Sequence, residues 1–223
     1  MDDTCSFLRA SVKDWSENHF KYKTGSSASA ACSTSQGSIG HLHLYGSKSQ
    51  DPYLHQISNS DDDPYTDTGT RICKGIEFFS GTVGKPDVIV FQTMMWDVFL
   101  REQGFSDESI LVSYRQNILE RIQDIKNCKD SQTSVFLRTV PWNHRTEPLL
   151  PKMNSIIKNI ANDFGMMVFD FDFVLRGWRE HFPENENLVF RDSIHLSMQC
   201  TSRFGLYVLK MSAEIKASEG FPR

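Results

Sequence analysis

Three predicted buried strands separated by two helical stripes constrain this chain more than any other feature. Asp87–Gln92, Val135–Val140 and Met166–Phe171 are near-continuous runs of β-branched, aromatic and other apolar residues. Such runs are typical of parallel strands covered on both faces. Between them, Ser106–Ile125 and Glu147–Phe164 carry apolar residues at helical spacing. The alternation predicts βαβ units and therefore an α/β fold: a three-layer α/β/α sandwich with a mainly parallel sheet.

Local patterns predict several further segments. Ser6–Trp15 has helical spacing, as do Arg71–Phe79 and Leu196–Ile215. Ile39–Tyr45 alternates apolar and polar side chains, which favours a strand. Thr24–Gly40 is rich in serine, alanine and glycine, and this composition is typical of a flexible connection.

The length and net charge of the chain limit the classes of protein to which it can belong. The 223 residues are enough for one domain, and we expect a single domain with an irregular part at 1–38 and a core at 39–215. A net charge of −4 gives no electrostatic reason to expect nucleic acid or an anionic membrane as partner. The apolar runs are too short to cross a bilayer. The first residues lack the basic start and apolar stretch of a signal peptide, and the compartment is left open.

The cysteines and histidines give no clear sign of a metal or redox centre. Five cysteines lie far apart without a CxxC pair, so we expect mostly idle thiols, with one or two disulfides as the alternative. His41 and His43 share one face of the predicted strand, but no further ligands appear at supporting spacing. A metal-dependent hydrolase that uses these residues and His195 is a weaker hypothesis. There is no glycine-rich phosphate loop, and we expect no metal or organic cofactor.

Two segments carry chemistry at places where predicted strands lead into helices, which is where open α/β sheets bind ligands. In DSIH, Asp192 precedes His195 by three residues and could orient its imidazole. In isolation, a helix cap and an ordinary histidine are the better explanation of this pair, but its place just before the last predicted helix favours the functional one. After the strand PDVIVF, Gln92 or loop N–H groups could stabilise an oxyanion. Alternatively, Trp96 packs beneath the next helix and Asp97 caps it.

Together, the two segments resemble the SGNH (GDSL-type) hydrolase superfamily, and within it the PC-esterase group of trichome-birefringence-like proteins. The resemblance covers roughly Ile39 to Ile215. It implies His195 as general base and Asp192 as its orienting acid. LYGS resembles the family block whose glycine N–H joins the oxyanion hole, here Gly46, and Trp96-Asp97 resembles a further block of the same site. The implied substrates are acyl esters, including O-acetyl groups on glycans.

One departure from the family pattern concerns the nucleophile. The family serine lies in a GDS motif on the first strand, and this sequence contains no Gly-Asp-Ser. We expect that Met1 lies downstream of that block and that the first strand is missing. One alternative is a non-catalytic binding domain that has lost the serine. Another is a relocated nucleophile, for which Ser47 has the best position.

Overall fold

The computed structural model describes residues 29–34, 37–42, 44, 46–48, 67–82, 84–140, 148–181, 208, 210–214 and 217. The chain divides into two compact units. Unit 1 comprises Met1–Ile89 and Thr93–Ser134, and unit 2 comprises Val90–Gln92 and Val135–Arg223. No helix in the described part of the chain is long and apolar enough to cross a membrane. The predicted helix at Ser6–Trp15 lies outside the described residues.

The first described residues of unit 1 form an antiparallel hairpin. Strand β1 (Ser29–Thr34) pairs with β2 (Gly37–Leu42) over their full length. The strand predicted at 39–45 is therefore present but ends at Leu42, and the flexible connection predicted over 24–40 is wrong for the paired residues. A Cβ atom on Gly40 would lie 2.6 Å from the Phe79 ring. The small residues therefore allow close packing against that ring, which composition alone does not reveal.

Helices form most of the remaining described residues of unit 1. They are α1 (Thr68–Thr82), the short α2 (Met95–Val98), a 3-10 helix (Phe99–Gln103) and α3 (Asp107–Cys128). Ser106 precedes α3, and its Oγ accepts a hydrogen bond of 3.2 Å from the Ser109 amide, as expected of an N-cap. The apolar stripe of α3 is fully buried and consists of Ile110, Tyr114, Ile118, Ile122 and Ile125.

A disulfide joins α1 to the end of α3. Cys73 and Cys128 are bonded, with their Cα atoms 5.3 Å apart. The expectation of idle thiols is therefore wrong for this pair. The two residues are 55 positions apart in the chain. They meet because α1 packs against α3, a contact that cysteine spacing does not encode.

The three-stranded sheet consists of β3 (Val88–Phe91), β4 (Ser134–Arg138) and β5 (Met167–Phe169) in the order β3-β4-β5. Strands β4 and β5 are parallel. Helix α4 (Leu149–Asp163) lies between them in the chain, as a parallel connection requires. The predicted α/β class is confirmed by this order of strands and helices. All three predicted strands are present.

The end of the sheet in unit 2 differs from the prediction at β5. The predicted strand reaches residue 171, but β5 ends at Phe169 and helix α5 (Phe171–His181) begins two residues later. The Asp170 carboxylate accepts a 3.2 Å hydrogen bond from the Phe173 amide and caps this helix. Of the helix predicted at 196–215, residues 210–214 are helical, and the remainder lies largely outside the described residues.

Candidate functional site

Asp97 is the centre of a buried polar cluster in unit 1. It follows β3 in the chain and lies in α2, with 2% of its surface exposed. Its carboxylate accepts hydrogen bonds from the Ser47 amide at 3.0 and 3.1 Å and from the Ser47 hydroxyl at 2.6 Å. The Thr93 hydroxyl donates a further bond of 3.1 Å. A buried carboxylate needs such donors, because it has lost its water.

Burial and hydrogen bonding act on Asp97 in opposite directions. Burial raises the pKa of this carboxyl group above its ordinary value, although the hydrogen bonds from Ser47 and Thr93 and the charge of Lys48 act to lower it. The pKa of Tyr114 is raised well above its usual value, mainly by burial and also by the negative charge of Asp97. The cluster is therefore a water-poor environment in which each polar contact is strong.

The turn at Gly46 and Ser47 is held in place by these contacts. Gly46 has a φ of 121°, a conformation that favours glycine. Ser47 has no exposed surface. Its hydroxyl donates to Asp97 and accepts a 3.2 Å hydrogen bond from Asn117 Nδ2. The hypothesis of Ser47 as a relocated nucleophile is therefore not supported, since a nucleophile must be open to its substrate.

One face of α3 supports both the turn and the start of α2. Tyr114 OH donates to the Thr93 carbonyl at 2.7 Å, and Arg121 Nη1 donates to the Ser47 carbonyl at 3.4 Å. Arg121 also forms a 2.7 Å ion pair with Asp124. Tyr114, Asn117 and Arg121 are three or four residues apart, which is the spacing of one helix face. The α3 face therefore fixes the two loops to a rigid element.

The structure brings together two of the sequence-predicted site blocks. The Gly46 turn and the Asp97 block, 50 residues apart in the chain, meet through Ser47. Trp96 precedes Asp97 in α2, and its side chain lies outside the described residues. Gln92 follows β3 and belongs to unit 2. The predicted acid and base, Asp192 and His195, lie outside the described residues.

Sequence reasoning missed the supporting residues of this cluster. These supporting residues are Thr93, which follows β3, and three residues with polar groups on or beside the apolar stripe of α3: Tyr114, Asn117 and Arg121. Tyr114 was assigned to the apolar stripe, and its hydroxyl was overlooked. Polar residues at helical spacing next to a buried stripe are the signal that could have identified them. Among the described residues, no group of three histidine, cysteine or acidic side chains could hold a metal ion.

Comparisons with known proteins find solved structures of weak similarity. No family model and no curated protein matches the chain. The structure of an acetyl xylan esterase, AlAXEase, is similar at a TM-score of 0.42 and 19% identity, over 56% of this chain and 68% of that one. A member of the lipolytic G-D-S-L family from Veillonella parvula is similar at a TM-score of 0.45 and 13% identity, over 68% of this chain and 81% of that one.

Proposed function

We propose that this chain is an SGNH-type serine ester hydrolase or acyltransferase domain that acts on acyl esters, with O-acetyl groups on glycans as the substrate class. The observation that carries the proposal is the buried contact between Ser47 and the Asp97 carboxylate. It joins the two blocks that the sequence resemblance assigns to one side of a single active site. The α/β fold is compatible with this chemistry but does not identify it.

The proposed residues divide into a reacting group and a supporting group. A serine attacks the acyl carbonyl, His195 removes the hydroxyl proton, and Asp192 holds the imidazole and stabilises its charged form. The Gly46 N–H and the loop from Gln92 to Trp96 donate to the oxyanion of the tetrahedral intermediate. Collapse of that intermediate returns the proton to the leaving alcohol. Water or an acceptor hydroxyl then takes the acyl group.

Asp97 has a positioning role in this proposal. Its carboxylate oxygens accept hydrogen bonds from within the protein, and its surface is closed to substrate. An oxyanion hole is effective only if its donors are held rigidly before the reaction. Asp97 is therefore expected to fix the turn that contains Gly46, and the oxyanion donors are expected to be backbone N–H groups.

Ester hydrolysis by the full chain tests this proposal. Because the sequence contains no Gly-Asp-Ser, the assay uses the chain with that block joined ahead of residue 1. For this protein we expect release of p-nitrophenol from p-nitrophenyl acetate and of acetate from acetylated xylo-oligosaccharides. His195→Ala should reduce both rates by at least a hundredfold, because it removes the general base. His181→Ala is the matched control, since it removes a histidine to which the proposal gives no role, and it should retain the wild-type rates. Equal rates in wild type and His195→Ala would contradict the proposal.

A non-catalytic binding domain is the second candidate function. The observation that favours it is the absence of a Gly-Asp-Ser triplet from the sequence. Calorimetric titration with acetylated xylo-oligosaccharides distinguishes the two functions. Saturable binding without turnover indicates the binding domain, whereas turnover that depends on His195 indicates the enzyme.

A further inference from the structure

Arg138 is a partly buried cation on the central strand of the sheet in unit 2. It is the last residue of β4, at the carboxyl end where α/β sheets bind ligands. Its guanidinium carbon lies over the Phe171 ring, 4.3 Å from the ring centroid. Phe169 lies opposite Arg138 in the parallel ladder. The centroid of its ring is 5.2 Å from the centroid of the Phe136 ring. An apolar, aromatic environment of this kind does not offset a positive charge with a negative one.

The described part of the chain offers no acceptor for the Arg138 Nε–H group, which is closed to solvent. Burial lowers the pKa of this arginine to about 10, so the side chain is still protonated at neutral pH. A buried donor without an acceptor is costly. Such a cost is retained in evolution where the group has a task beyond folding.

Two carboxylates follow β5, and both have cations of their own. Asp170 lies 2.5 Å from Lys158 Nζ and accepts a 2.9 Å hydrogen bond from the Thr139 hydroxyl. Asp172 forms a 2.9 Å ion pair with Arg176. These contacts bind Asp170 and Asp172 Oδ2 to partners other than Arg138, whereas Asp172 Oδ1 is buried with no hydrogen-bond partner among the described residues.

The chemistry of a stacked guanidinium indicates the kind of ligand. Contact with the Phe171 ring uses the face of the group, so its N–H donors, which lie in the guanidinium plane, can still bind an acceptor. A planar fork of donors matches the two oxygens of a carboxylate or a phosphate. We propose that Arg138, held by Phe171 at the end of β4, binds an oxyanion carried by a ligand, either a carboxylate or a phosphate group. The proposal does not require that the chain hydrolyses esters.

Thermal unfolding of the full chain in different anions tests the site. We expect inorganic phosphate or acetate to raise Tm more than chloride at equal ionic strength, because an anion that binds only the folded state stabilises it. A hundredfold excess over Kd should raise Tm by about 5–10 °C. A larger rise of Tm in phosphate would indicate a phosphate ligand, and a larger rise in acetate would indicate a carboxylate ligand. Equal Tm values in all three anions would overturn the proposal.

Two substitutions connect this response to Arg138. Arg138→Met retains an apolar side chain for packing on Phe171 but removes the charge. It should abolish the anion response and raise Tm in chloride, because the buried Nε–H donor without an acceptor is gone. Arg176→Met, at a side chain that is 50% exposed in the same unit, should keep the response. An unchanged anion response in Arg138→Met, or a lower Tm in chloride, would contradict the proposal.

A measurement on the unmodified sequence covers the case in which Arg138→Met does not fold. Phenylglyoxal modifies accessible arginine side chains, and peptide mapping gives a rate for each one. Saturating phosphate or acetate should slow the modification of Arg138 at least fivefold and leave that of Arg176 unchanged. Modification of Arg138 at the same rate with and without the anions would overturn the proposal.

Discussion

Asp97 in unit 1 is a buried charged residue and Arg138 in unit 2 is a partly buried one, and their environments are opposite. The Asp97 carboxylate accepts hydrogen bonds from an amide and two hydroxyl groups. The Arg138 guanidinium lies on an aromatic ring, and its Nε has no acceptor among the described residues. A buried charge with several partners holds a fold together, whereas one without a partner is available to a ligand. The comparison therefore assigns a positioning role to the first residue and a binding role to the second.

The largest expected effect is at Asp97. Asp97→Ala leaves the Ser47 amide, the Ser47 hydroxyl and the Thr93 hydroxyl without their acceptor. We expect the free energy of unfolding to fall by about 3–5 kcal/mol, since each unsatisfied buried group costs about 1–3 kcal/mol and the losses are not additive. Urea unfolding followed by circular dichroism measures this change.

A carboxylate of unit 1 that is 48% exposed provides the control for Asp97. Asp107 forms a surface ion pair with Arg101. Asp107→Ala should therefore cost only about 0.2–1 kcal/mol. Similar losses of unfolding free energy in the two variants would mean that the Asp97 hydrogen bonds do not support unit 1. The positioning role of Asp97 would then be contradicted.

The disulfide of unit 1 is expected to have the next largest effect. Cys73 and Cys128 close a loop of 55 residues, and such a cross-link stabilises a protein by about 2–4 kcal/mol. The double variant Cys73→Ser, Cys128→Ser should lose this amount in non-reducing buffer. Addition of dithiothreitol should destabilise the wild type by the same amount and leave the double variant unchanged. Dithiothreitol sensitivity in the double variant would contradict the pairing.

The pH dependence of stability should differ in sign between two aspartates. The folded-state pKa of Asp97 is raised, so the folded state binds this proton more tightly than the unfolded state. The contribution of Asp97 to stability therefore falls as pH rises from about 4 through the folded pKa. For Asp170, burial acts to raise the pKa, but hydrogen bonds from Lys158, Phe173 and Thr139 outweigh it, and the pKa is lowered. Its contribution is present above about pH 4 and is lost as pH falls.

Urea unfolding between about pH 3 and pH 7 tests both signs. The difference in unfolding free energy between wild type and Asp97→Asn should decrease as pH rises. The difference between wild type and Asp170→Asn should increase over the same range. The same sign in both variants would show that burial does not dominate the environment of Asp97.

The smallest effect is expected at Asn117. Asn117→Ala removes one hydrogen bond to the Ser47 hydroxyl and should cost about 0.5–1.5 kcal/mol. Gln116→Ala is the matched control, because Gln116 is exposed on α3 and bonds only to the exposed Glu120 among the described residues. Amide hydrogen exchange should also accelerate at Ser47 in Asn117→Ala and stay unchanged in Gln116→Ala. Unchanged exchange at Ser47 would mean that α3 does not hold the turn.

Elements with a strong hydrophobic period could be predicted from the sequence. Helix α3 agrees with the apolar stripe and the Ser106 cap that predicted it, and the three strands of the sheet agree with the apolar runs that predicted them. The strand predicted at 39–45 covers part of β2, but β1 and its pairing with β2 were not predicted, because the composition indicated a flexible connection. The close approach of Gly40 to Phe79 has no signal in the sequence. Helix α5 was missed because the apolar run of β5 continues into it without a break. Asp170, which caps α5, is the only local sequence sign that the strand ends and a helix begins.

The candidate site could be predicted only in part. The resemblance named Gly46 and Asp97, and the structure joins their two blocks through Ser47. The partners of Asp97 on α3 depend on contacts between residues far apart in the chain. Arg138 had no sequence signal, since an arginine at the end of a strand is usually exposed. Its importance lies in the absence of partners, and only three-dimensional packing can reveal this.

Labelling with a fluorophosphonate probe, followed by peptide mapping, tests the proposed function most directly. The probe reacts with serine residues that a neighbouring base activates. The proposal predicts one labelled serine, other than the fully buried Ser47, in the folded chain that carries the Gly-Asp-Ser block, and loss of the label in His195→Ala. A cooperatively folded sample that takes up no label, or a label unaffected by His195→Ala, would contradict it.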